Sequence, residues 1–230
     1  MWMDNQFSLQ KVRVKARKDD ERRFHFTENM IENKSVIDFG CGSGGYLARA
    51  RHICNQVAGV ELEQTMRDAL NSEGIKCVES IGSLGKADVI TLFHVLEHLQ
   101  NPLDYLAIFK KHLSDDGLLI VEVPNADDAL LTLYKSKEFA DFTYWICHVY
   151  LYNMKTLSML ADMAGYDVVF MRQIQRYPLA NHLYWLSQKK PGGHYKWSFI
   201  ENQMLDEEYA SMLERLGIAD TIIVGLCPRE

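Results

Sequence analysis

The sequence predicts a doubly wound α/β fold, in which helices cover both faces of a mostly parallel sheet, with an inserted cap that is α-rich or irregular. Three observations favour this fold class. Short apolar runs alternate with helix-like stretches from Ser35 to Val123, and a glycine-rich turn joins the first run to the first of these helices. The composition, with 47% hydrophobic and 24% charged residues among 230, is typical of a globular protein.

The first five strands are predicted from the apolar runs, which cover residues 36–39, 57–60, 76–78, 88–92 and 118–123. Helices are predicted between them, from 44 to about 53, over 64–70, and from Asn101 onwards. Asn101 suits the cap of the last of these helices and Pro102 its first position. Because parallel sheets bind ligands at the carboxyl ends of their strands, we expect functional residues directly after each strand.

The second half of the chain is less regular. An aromatic-rich stretch over 124–152 precedes an amphipathic helix over 153–164 and a strand over 167–174. Residues 175–204 contain Pro178, Pro191 and two glycines and are predicted to be irregular, before a helix over 205–216 and a last strand over 221–227. We therefore expect a main domain over 34–230 with substrate-cap insertions at about 124–152 and 175–216. Residues 1–33 would form a helical segment that could act as a lid.

Charge and cysteine content limit the functional classes. The net charge of −6 argues against a nucleic-acid partner, because such proteins are usually basic. No apolar run approaches the ~18 residues of a membrane helix, and the first residues do not resemble a signal peptide. Five scattered cysteines without a CxxC pair are typical of reduced thiols. We expect a cytoplasmic protein, monomeric or homodimeric, with no membrane partner.

The most informative segment follows the first strand and contains Gly40, Gly42 and Gly44. Glycines there allow a sharp turn and a close approach of a ligand to the main chain. Glu61 lies 21 residues after Gly40, at the end of the second strand, where a carboxylate can accept hydrogen bonds from both hydroxyls of a ribose. Two templates fit: GxGxxG, which includes Gly45 and indicates an NAD-binding oxidoreductase, and DxGxGxG, which includes Asp38.

Asp38 favours the second template. A carboxylate at this point would repel a pyrophosphate but suits a cationic ligand such as S-adenosylmethionine (SAM), which has a sulfonium, an α-amino group and no phosphate. Here the sequence resembles the class I SAM-dependent methyltransferases over about residues 34–174 and the last strand. The segments that carry the resemblance are Asp38–Gly44, Gly59–Glu61, Ala87–Ile90 with His94–His98, and Leu118–Asn125.

The resemblance extends to a subgroup and implies roles for individual residues. His148 with Tyr150 and the helix after it resembles the ubiquinone-type and sugar-modifying methyltransferases. The family pattern implies a seven-stranded Rossmann-like methyltransferase fold that binds SAM and releases S-adenosylhomocysteine. The implied cofactor contacts are Asp38, Phe39, Gly40, Cys41, Gly42 and Gly44 at the methionine part, Glu61 at the ribose, Leu62, Ser80 and Ile81 at the adenine, and His94 in the pocket wall.

Residues 94–98 also match the H-x-x-E-H pattern of zinc proteases, in which His94 and His98 would share a helix face. The segment follows a buried strand directly and soon reaches Pro102, so a long helix is not expected. A divalent cation near this segment is a second alternative, because some ubiquinone-type methyltransferases place one there. We favour a packing role at the strand–helix junction and predict no metal.

Methyl transfer needs a positioned acceptor, and a hydroxyl acceptor usually needs a base. His148 follows the fifth strand and is the first candidate base; His182, in an aromatic stretch, is the second. The sequence thus predicts methyl transfer to a small polar metabolite, with a hydroxyl of a sugar or nucleotide-sugar type favoured. A protein or quinone-like acceptor, a SAM-binding module without catalysis and the NAD-binding oxidoreductase are the alternatives.

Overall fold

A computed structural model describes residues 5–229 of the chain, with the side chains of residues 11–229. The seven strands of this part are β1 (Ser35–Phe39), β2 (Gln56–Val60), β3 (Lys76–Val78), β4 (Ala87–Phe93), β5 (Leu113–Pro124), β6 (Tyr166–Ile174) and β7 (Thr221–Pro228). They form one sheet in the order β3-β2-β1-β4-β5-β7-β6. The first five are parallel, and β7 runs antiparallel to both β5 and β6.

Helices connect the strands and cover the sheet. Their bounds in the described chain are α1 (Asn5–Ile31), α2 (Gly45–Ala50), α3 (Gln64–Ser72), α4 (Pro102–His112), α5 (Ala129–Thr132), α6 (Lys137–Thr143), α7 (Met154–Met163), α8 (Leu179–Gln188), α9 (Gly193–Lys196) and α10 (Gln203–Leu216). Short 3₁₀ turns lie at Ile81–Ser83, Leu96–His98 and Ser198–Ile200. None of the helices in the described part combines the length and apolarity that crossing a bilayer requires.

Successive strand residues face opposite sides of the sheet and bury two separate apolar clusters. Val36 and Ile120 belong to the cluster under α1, α2 and α3, whereas Ile37 and Val121 belong to the cluster under α4 and α7. Burial on both faces explains why the central strands are apolar throughout rather than alternating. The predicted seven-stranded, doubly wound fold is confirmed.

Most predicted boundaries shift by one to three residues, and two segments differ from the structure by more. Residues 175–204, predicted to be irregular, contain α8, whose Ala180, Tyr184 and Trp185 form a buried face that the flanking prolines and glycines obscured. β5 begins at Leu113 and not at 118, because Leu113 pairs with Ala87 before an irregularity in the ladder. The first difference matters for function, because α8 helps to enclose a cavity at the carboxyl edge of the sheet.

Candidate cofactor and acceptor site

The glycine loop turns the chain from β1 into α2 through three residues with positive φ. Gly40, Gly42 and Gly44 have φ of 77°, 51° and 66°, a region that favours glycine. A Cβ at Gly40 would lie 2.5 Å from Val95 Cγ2, and one at Gly44 would overlap Leu70 Cδ2. A Cβ at Gly42 would meet nothing within 4 Å. Gly40 and Gly44 are therefore required by packing, whereas Gly42 borders an open space that a ligand could fill.

Glu61 lies beside this open space. Its Oε2 accepts from the Gly42 amide and its Oε1 from the Glu63 amide, both at 2.9 Å. Each carboxylate oxygen can accept more than one hydrogen bond, so both keep lone pairs for a pair of ribose hydroxyls. The two amides fix the carboxylate in place and leave part of its hydrogen-bonding capacity unused.

Asp38 is the acidic group at the end of β1. It is buried, and its Oδ1 accepts from Thr91 Oγ1 at 2.7 Å. Burial raises the pKa of Asp38 to about 7, although the Thr91 bond and Arg23 oppose the shift. A carboxylate in this position gains from a cationic ligand, which would favour its ionised form. Asp38, Glu61 and the open space at Gly42 fit the sulfonium, amino group and ribose of SAM.

Of the remaining predicted cofactor residues, some pack inside the protein and others are exposed at its surface. Phe39 packs edge-on against Phe109, with ring centroids 4.9 Å apart, and Ile81 is buried in the apolar core. Cys41 Sγ lies 3.7 Å from Cys77 Sγ. By contrast, Leu62 is 80% exposed. Ser80 Oγ accepts from the Gly82 amide and so begins the turn Ile81–Ser83.

Helix α1 packs beside the glycine loop. Arg13 donates from Nε to the Ser43 carbonyl at 2.8 Å and pairs through its other nitrogens with Glu73. Asp20 is buried next to Gly45, where an added Cβ would overlap Asp20 Oδ2. Burial raises the pKa of Asp20 to about 6. No local sequence pattern marks Asp20, because its position beside the loop depends on where α1 docks.

His94 follows β4 in a left-handed conformation, with φ of 57°. Its Nε2 lies 2.7 Å from Arg176 Nη1 and 3.2 Å from Glu122 Oε1, and its Nδ1 lies 3.2 Å from Glu97 Oε1. The turn Leu96–His98 contains Glu97 and is not a long helix. His94 and His98 therefore do not form the helical zinc pair of a protease.

A buried ionic network connects α1 to the strand ends. Glu122 of β5 is fully buried and accepts hydrogen bonds from Arg22 and Arg23 at 2.8–3.0 Å. Burial alone would raise the pKa of Glu122, but Arg23, His94 and Arg22 outweigh it and hold the pKa well below its ordinary value. Arg176 donates to both oxygens of Asp19 at 2.5 and 3.0 Å. Arg176 is therefore held in a largely buried ion pair with α1.

Beyond this network lies a cavity of about 730 Å³ at the carboxyl edge of the sheet. Its polar wall comes from strand ends and loops, and its apolar wall is mainly aromatic. Residues in its wall include His94, Glu97, His98, Asp128, Phe139, Phe142, Trp145, His148, Arg176, His182 and Trp185. A cavity of this size and make-up suits a small molecule with an apolar ring face and a few polar groups.

The two predicted bases both line this cavity, but they differ in which of their ring nitrogens have hydrogen-bond partners. His148 donates from Nδ1 to the Thr143 carbonyl at 2.8 Å, which leaves the lone pair of Nε2 free. His182 is buried, with Nδ1 2.7 Å from the Tyr209 hydroxyl and Nε2 3.3 Å from Gln175 Nε2. Burial also lowers the pKa of His182 to about 4. The Nε2 of His148 is therefore open to a ligand in the cavity, whereas both ring nitrogens of His182 already lie within hydrogen-bond distance of protein groups.

Comparison with known proteins identifies the domain. A family model described as a methyltransferase domain matches residues 12–170, more than half of the chain. The chain belongs to this methyltransferase family. The methyltransferase domain so defined includes most of α1 as well as the glycine loop, Glu61 and His94. SAM is the cofactor of this domain, as the sequence predicted, and residues 12–170 form a SAM-dependent methyltransferase domain.

Relatives with curated descriptions match parts of the methyltransferase. The mitochondrial ubiquinone biosynthesis O-methyltransferase of Candida albicans is 25% identical over 131 residues, which are 50% of this chain and 40% of that protein. The tRNA U34 carboxymethyltransferase of Pseudoalteromonas translucida is 30% identical over 104 residues, 40% of this chain and 32% of that protein. The matches thus span a third to two-fifths of the relatives' length.

Solved structures share the fold of this methyltransferase. A chain from the complex of the Haloferax volcanii Trm112 methyltransferase activator with a methyltransferase has a TM-score of 0.63 at 14% identity and full coverage of both chains. A SAM-dependent methyltransferase from Archaeoglobus fulgidus has a TM-score of 0.59 at 16% identity, covering 92% of this chain and 93% of its own. At these identities the likeness concerns the fold alone.

Proposed function

We propose that this methyltransferase transfers a methyl group to a hydroxyl of a small, ring-bearing polar molecule. The observation that carries the proposal is the cavity at the strand ends, which His148 lines with a free nitrogen. Its wall includes His94, and the next residue, Val95, packs against Gly40 of the cofactor loop. Phe142 and Trp185 offer aromatic faces on which a sugar or a flat ring could stack. This agrees with the predicted ubiquinone-type or sugar-modifying subgroup.

The chain's own residues would carry out positioning and proton removal. SAM, when bound, supplies an activated methyl group on its sulfonium. Asp38 and Glu61 would orient SAM through its cationic and ribose groups, with Gly42 giving the backbone room. The aromatic wall would exclude water and hold the acceptor ring, so that the hydroxyl oxygen approaches in line. His148 Nε2 would accept the hydroxyl proton.

Among the relatives' acceptors, a small molecule is favoured here over tRNA. The net charge of −6 opposes association with a polyanion, and the cavity is enclosed by α8 and the residues 139–148. We also propose that residues 34–230 form the catalytic domain with its cap and that the segment before it acts as a lid through α1 (Asn5–Ile31). Residues 1–4 of the predicted lid segment, 1–33, lie outside the described part of the chain. A monomeric or homodimeric state remains our expectation.

The function is tested with isotope-labelled SAM and three acceptor pools: small hydroxylated ring compounds including nucleotide sugars, total tRNA, and denatured protein. We expect label only in the first pool and at least a 100-fold lower rate in His148→Gln, because removal of a general base typically costs that much. His182→Gln serves as the comparison, with a smaller loss. Label in tRNA or protein, at the rate of the first pool or above it, would refute the proposed acceptor class.

A further inference from the structure

Two cysteines that are distant in the sequence lie side by side at the glycine loop. Cys41 stands between Gly40 and Gly42, and Cys77 is the middle residue of β3. Their Sγ atoms are 3.7 Å apart, and both are free thiols in this structure. The sulfur atoms of a disulfide are ~2.05 Å apart, so the pair would need to approach by about 1.6 Å to form one.

Gly59 of β2 gives the two thiols the space to meet. It is the partner of Cys77 in the β2–β3 ladder, and a Cβ at Gly59 would lie 2.5 Å from Cys41 Sγ and 3.2 Å from Cys77 Sγ. A side chain here would collide with the sulfurs, because the interior is close-packed. The φ of Gly59 is not positive. Space for the sulfurs, rather than backbone conformation, therefore accounts for a glycine at this position.

The backbone holds Cys77 more firmly than Cys41. The amide of Cys77 donates to Asn71 Oδ1 at 3.0 Å and its carbonyl accepts from Asn71 Nδ2 at 2.9 Å, in addition to the ladder with β2. Cys41 lies in the turn after β1, where its amide donates to the Val60 carbonyl at 3.1 Å. It is half-buried, next to the open space at Gly42. We therefore expect the loop to move towards Cys77 when the sulfurs approach.

Glu61 is bonded to the residue that follows each cysteine. Its Oε2 accepts from the Gly42 amide at 2.9 Å, and its own amide donates to the Val78 carbonyl at 3.0 Å. Gly42 follows Cys41, and Val78 follows Cys77. A shift of one cysteine relative to the other therefore moves the Glu61 carboxylate or its partner out of the arrangement that suits a ribose.

The surroundings of the pair favour reaction with a small oxidant. With Cys41 as the donor, the hydrogen bond between the thiols lowers the pKa of Cys77, and Arg67 acts in the same direction against desolvation by burial. The thiolate is the reactive form of cysteine. The open space at Gly42 gives a small molecule a route to the pair while no cofactor fills it.

We propose that Cys41 and Cys77 form a reversible disulfide that weakens SAM binding, with a peroxide as the oxidant. One thiol attacks hydrogen peroxide, breaks its O–O bond and becomes a sulfenic acid, and one oxygen leaves as water. The other thiol attacks this sulfur, forms the S–S bond and releases the second oxygen as water. The two sulfurs together lose two electrons, and the two thiol protons end in the two water molecules. A dithiol reverses the oxidation by thiol–disulfide exchange.

The effect on SAM rests on the placement of the cofactor in the proposed function, and it works in both directions. If the disulfide lowers SAM affinity by roughly tenfold, bound SAM favours the dithiol by the same factor. For this two-electron couple, a factor of ten raises the reduction potential of the pair by ~30 mV. The chain without cofactor is thus the form that oxidises more readily.

The test uses the full chain, first reduced, then freed of reductant and treated with hydrogen peroxide. Trypsin digestion without reduction releases residues 35–49 and residues 77–86, and each of these peptides contains one cysteine. We expect the two peptides to be joined by a disulfide and SAM affinity, measured by calorimetry, to fall roughly tenfold. Dithiothreitol should restore both. S-adenosylhomocysteine present during oxidation should slow formation of the joined peptide, because it fills the space beside Cys41.

The variants Cys41→Ser and Cys77→Ser should each keep their SAM affinity after peroxide treatment. Cys227→Ser is the matched control, because Cys227 is also half-buried but lies on β7, and this variant should lose affinity as the wild-type chain does. The comparison of the wild-type chain before and after oxidation needs no variant, so it decides the matter even where a substitution prevents folding.

Two results would overturn the proposal. One is the absence of the joined peptide from the oxidised wild-type chain; the other is a disulfide-bonded chain that binds SAM as tightly as the reduced chain. A loss of affinity in Cys41→Ser equal to that of the wild type would also contradict it, since another thiol would then be responsible. A reduced chain that binds no SAM would instead refute the proposed function, whereas the joined peptide would still establish the disulfide.

Discussion

Asp38 is the residue whose ionisation controls the charge of the cofactor pocket. Its pKa of about 7 means that the carboxyl is largely protonated at pH 6 and largely ionised at pH 8. Because the ionised form attracts the sulfonium and amino group of SAM, we expect affinity for SAM to rise roughly tenfold from pH 6 to pH 8. Calorimetric titration across this range measures the effect.

The matched variants are Asp38→Asn, which keeps the shape, and Asp115→Asn on the exposed surface. The first should bind SAM weakly at every pH and lose most of the pH dependence; the second should behave as wild type. The same pH dependence in both variants would show that a group other than Asp38 is responsible.

Gly42 and Gly44 separate the binding role of the loop from its packing role. Gly42→Ala places a methyl group in open space, so we expect only the left-handed backbone cost of about 1–2 kcal/mol but a large loss of SAM affinity. Gly44→Ala adds an overlap with the buried Leu70, for a total of roughly 2–5 kcal/mol. Urea denaturation and SAM titration of both variants measure the two effects. A Gly42→Ala chain that binds SAM normally would contradict the placement of the cofactor.

At the scale of elements, α1 is attached to the sheet through buried charges. Glu122→Gln leaves Arg22 and Arg23 without their carboxylate in a buried site, which typically costs about 3–5 kcal/mol. We expect this variant to be destabilised and α1 to be cleaved faster by trypsin. Arg13→Gln, which breaks a partly exposed pair with Glu73, should cost no more than about 1 kcal/mol. Equal effects of the two changes would show that α1 is not held by Glu122.

The sequence predicted elements well where their signals are local. The glycine loop, Asp38 and Glu61 lie within one strand–turn–helix–strand unit, so their placement follows from the order of the chain. The Arg22–Glu122 and Asp19–Arg176 pairs join residues that are 100 and 157 positions apart, so no local sequence pattern predicts them. One signal was available: Glu122 interrupts an apolar strand, and a charge in a buried strand needs a partner.

The sequence predicts where the histidines lie better than which of their nitrogens can react. The sequence predicts His148 near the strand ends and His182 in an aromatic stretch of the cap, and both line the cavity. Whether their ring nitrogens are free depends on contacts with Thr143, Gln175 and Tyr209, and no sequence pattern predicts these contacts. The H-x-x-E-H pattern directed attention to His94 and His98, whereas the structure brings Glu97 and His98 together with His148. Contacts across loops, rather than spacing within one motif, decide these roles.

At the scale of the whole molecule, cofactor binding should stabilise the folded chain. S-adenosylhomocysteine at 100 times its dissociation constant contributes ~2.7 kcal/mol. For a chain of this size that corresponds to a rise in Tm of roughly 5–10 °C. Differential scanning calorimetry measures it, and Glu61→Ala, which removes the ribose ligand, should abolish it. A full rise in Tm in Glu61→Ala would show that the ribose of the cofactor does not bind at Glu61.

The attachments of α1 have a consequence for the order of events in turnover. The helix contacts the glycine loop through Arg13 and the far strand ends through Arg22, Arg23 and Asp19, so it bridges the cofactor and acceptor sides. With α1 as the lid proposed above, exchange of spent cofactor would require several buried ion pairs to separate together. Chemistry on an already bound acceptor needs no such opening. The first turnover should therefore be fast and those that follow slower, as departure of S-adenosylhomocysteine sets the steady-state rate.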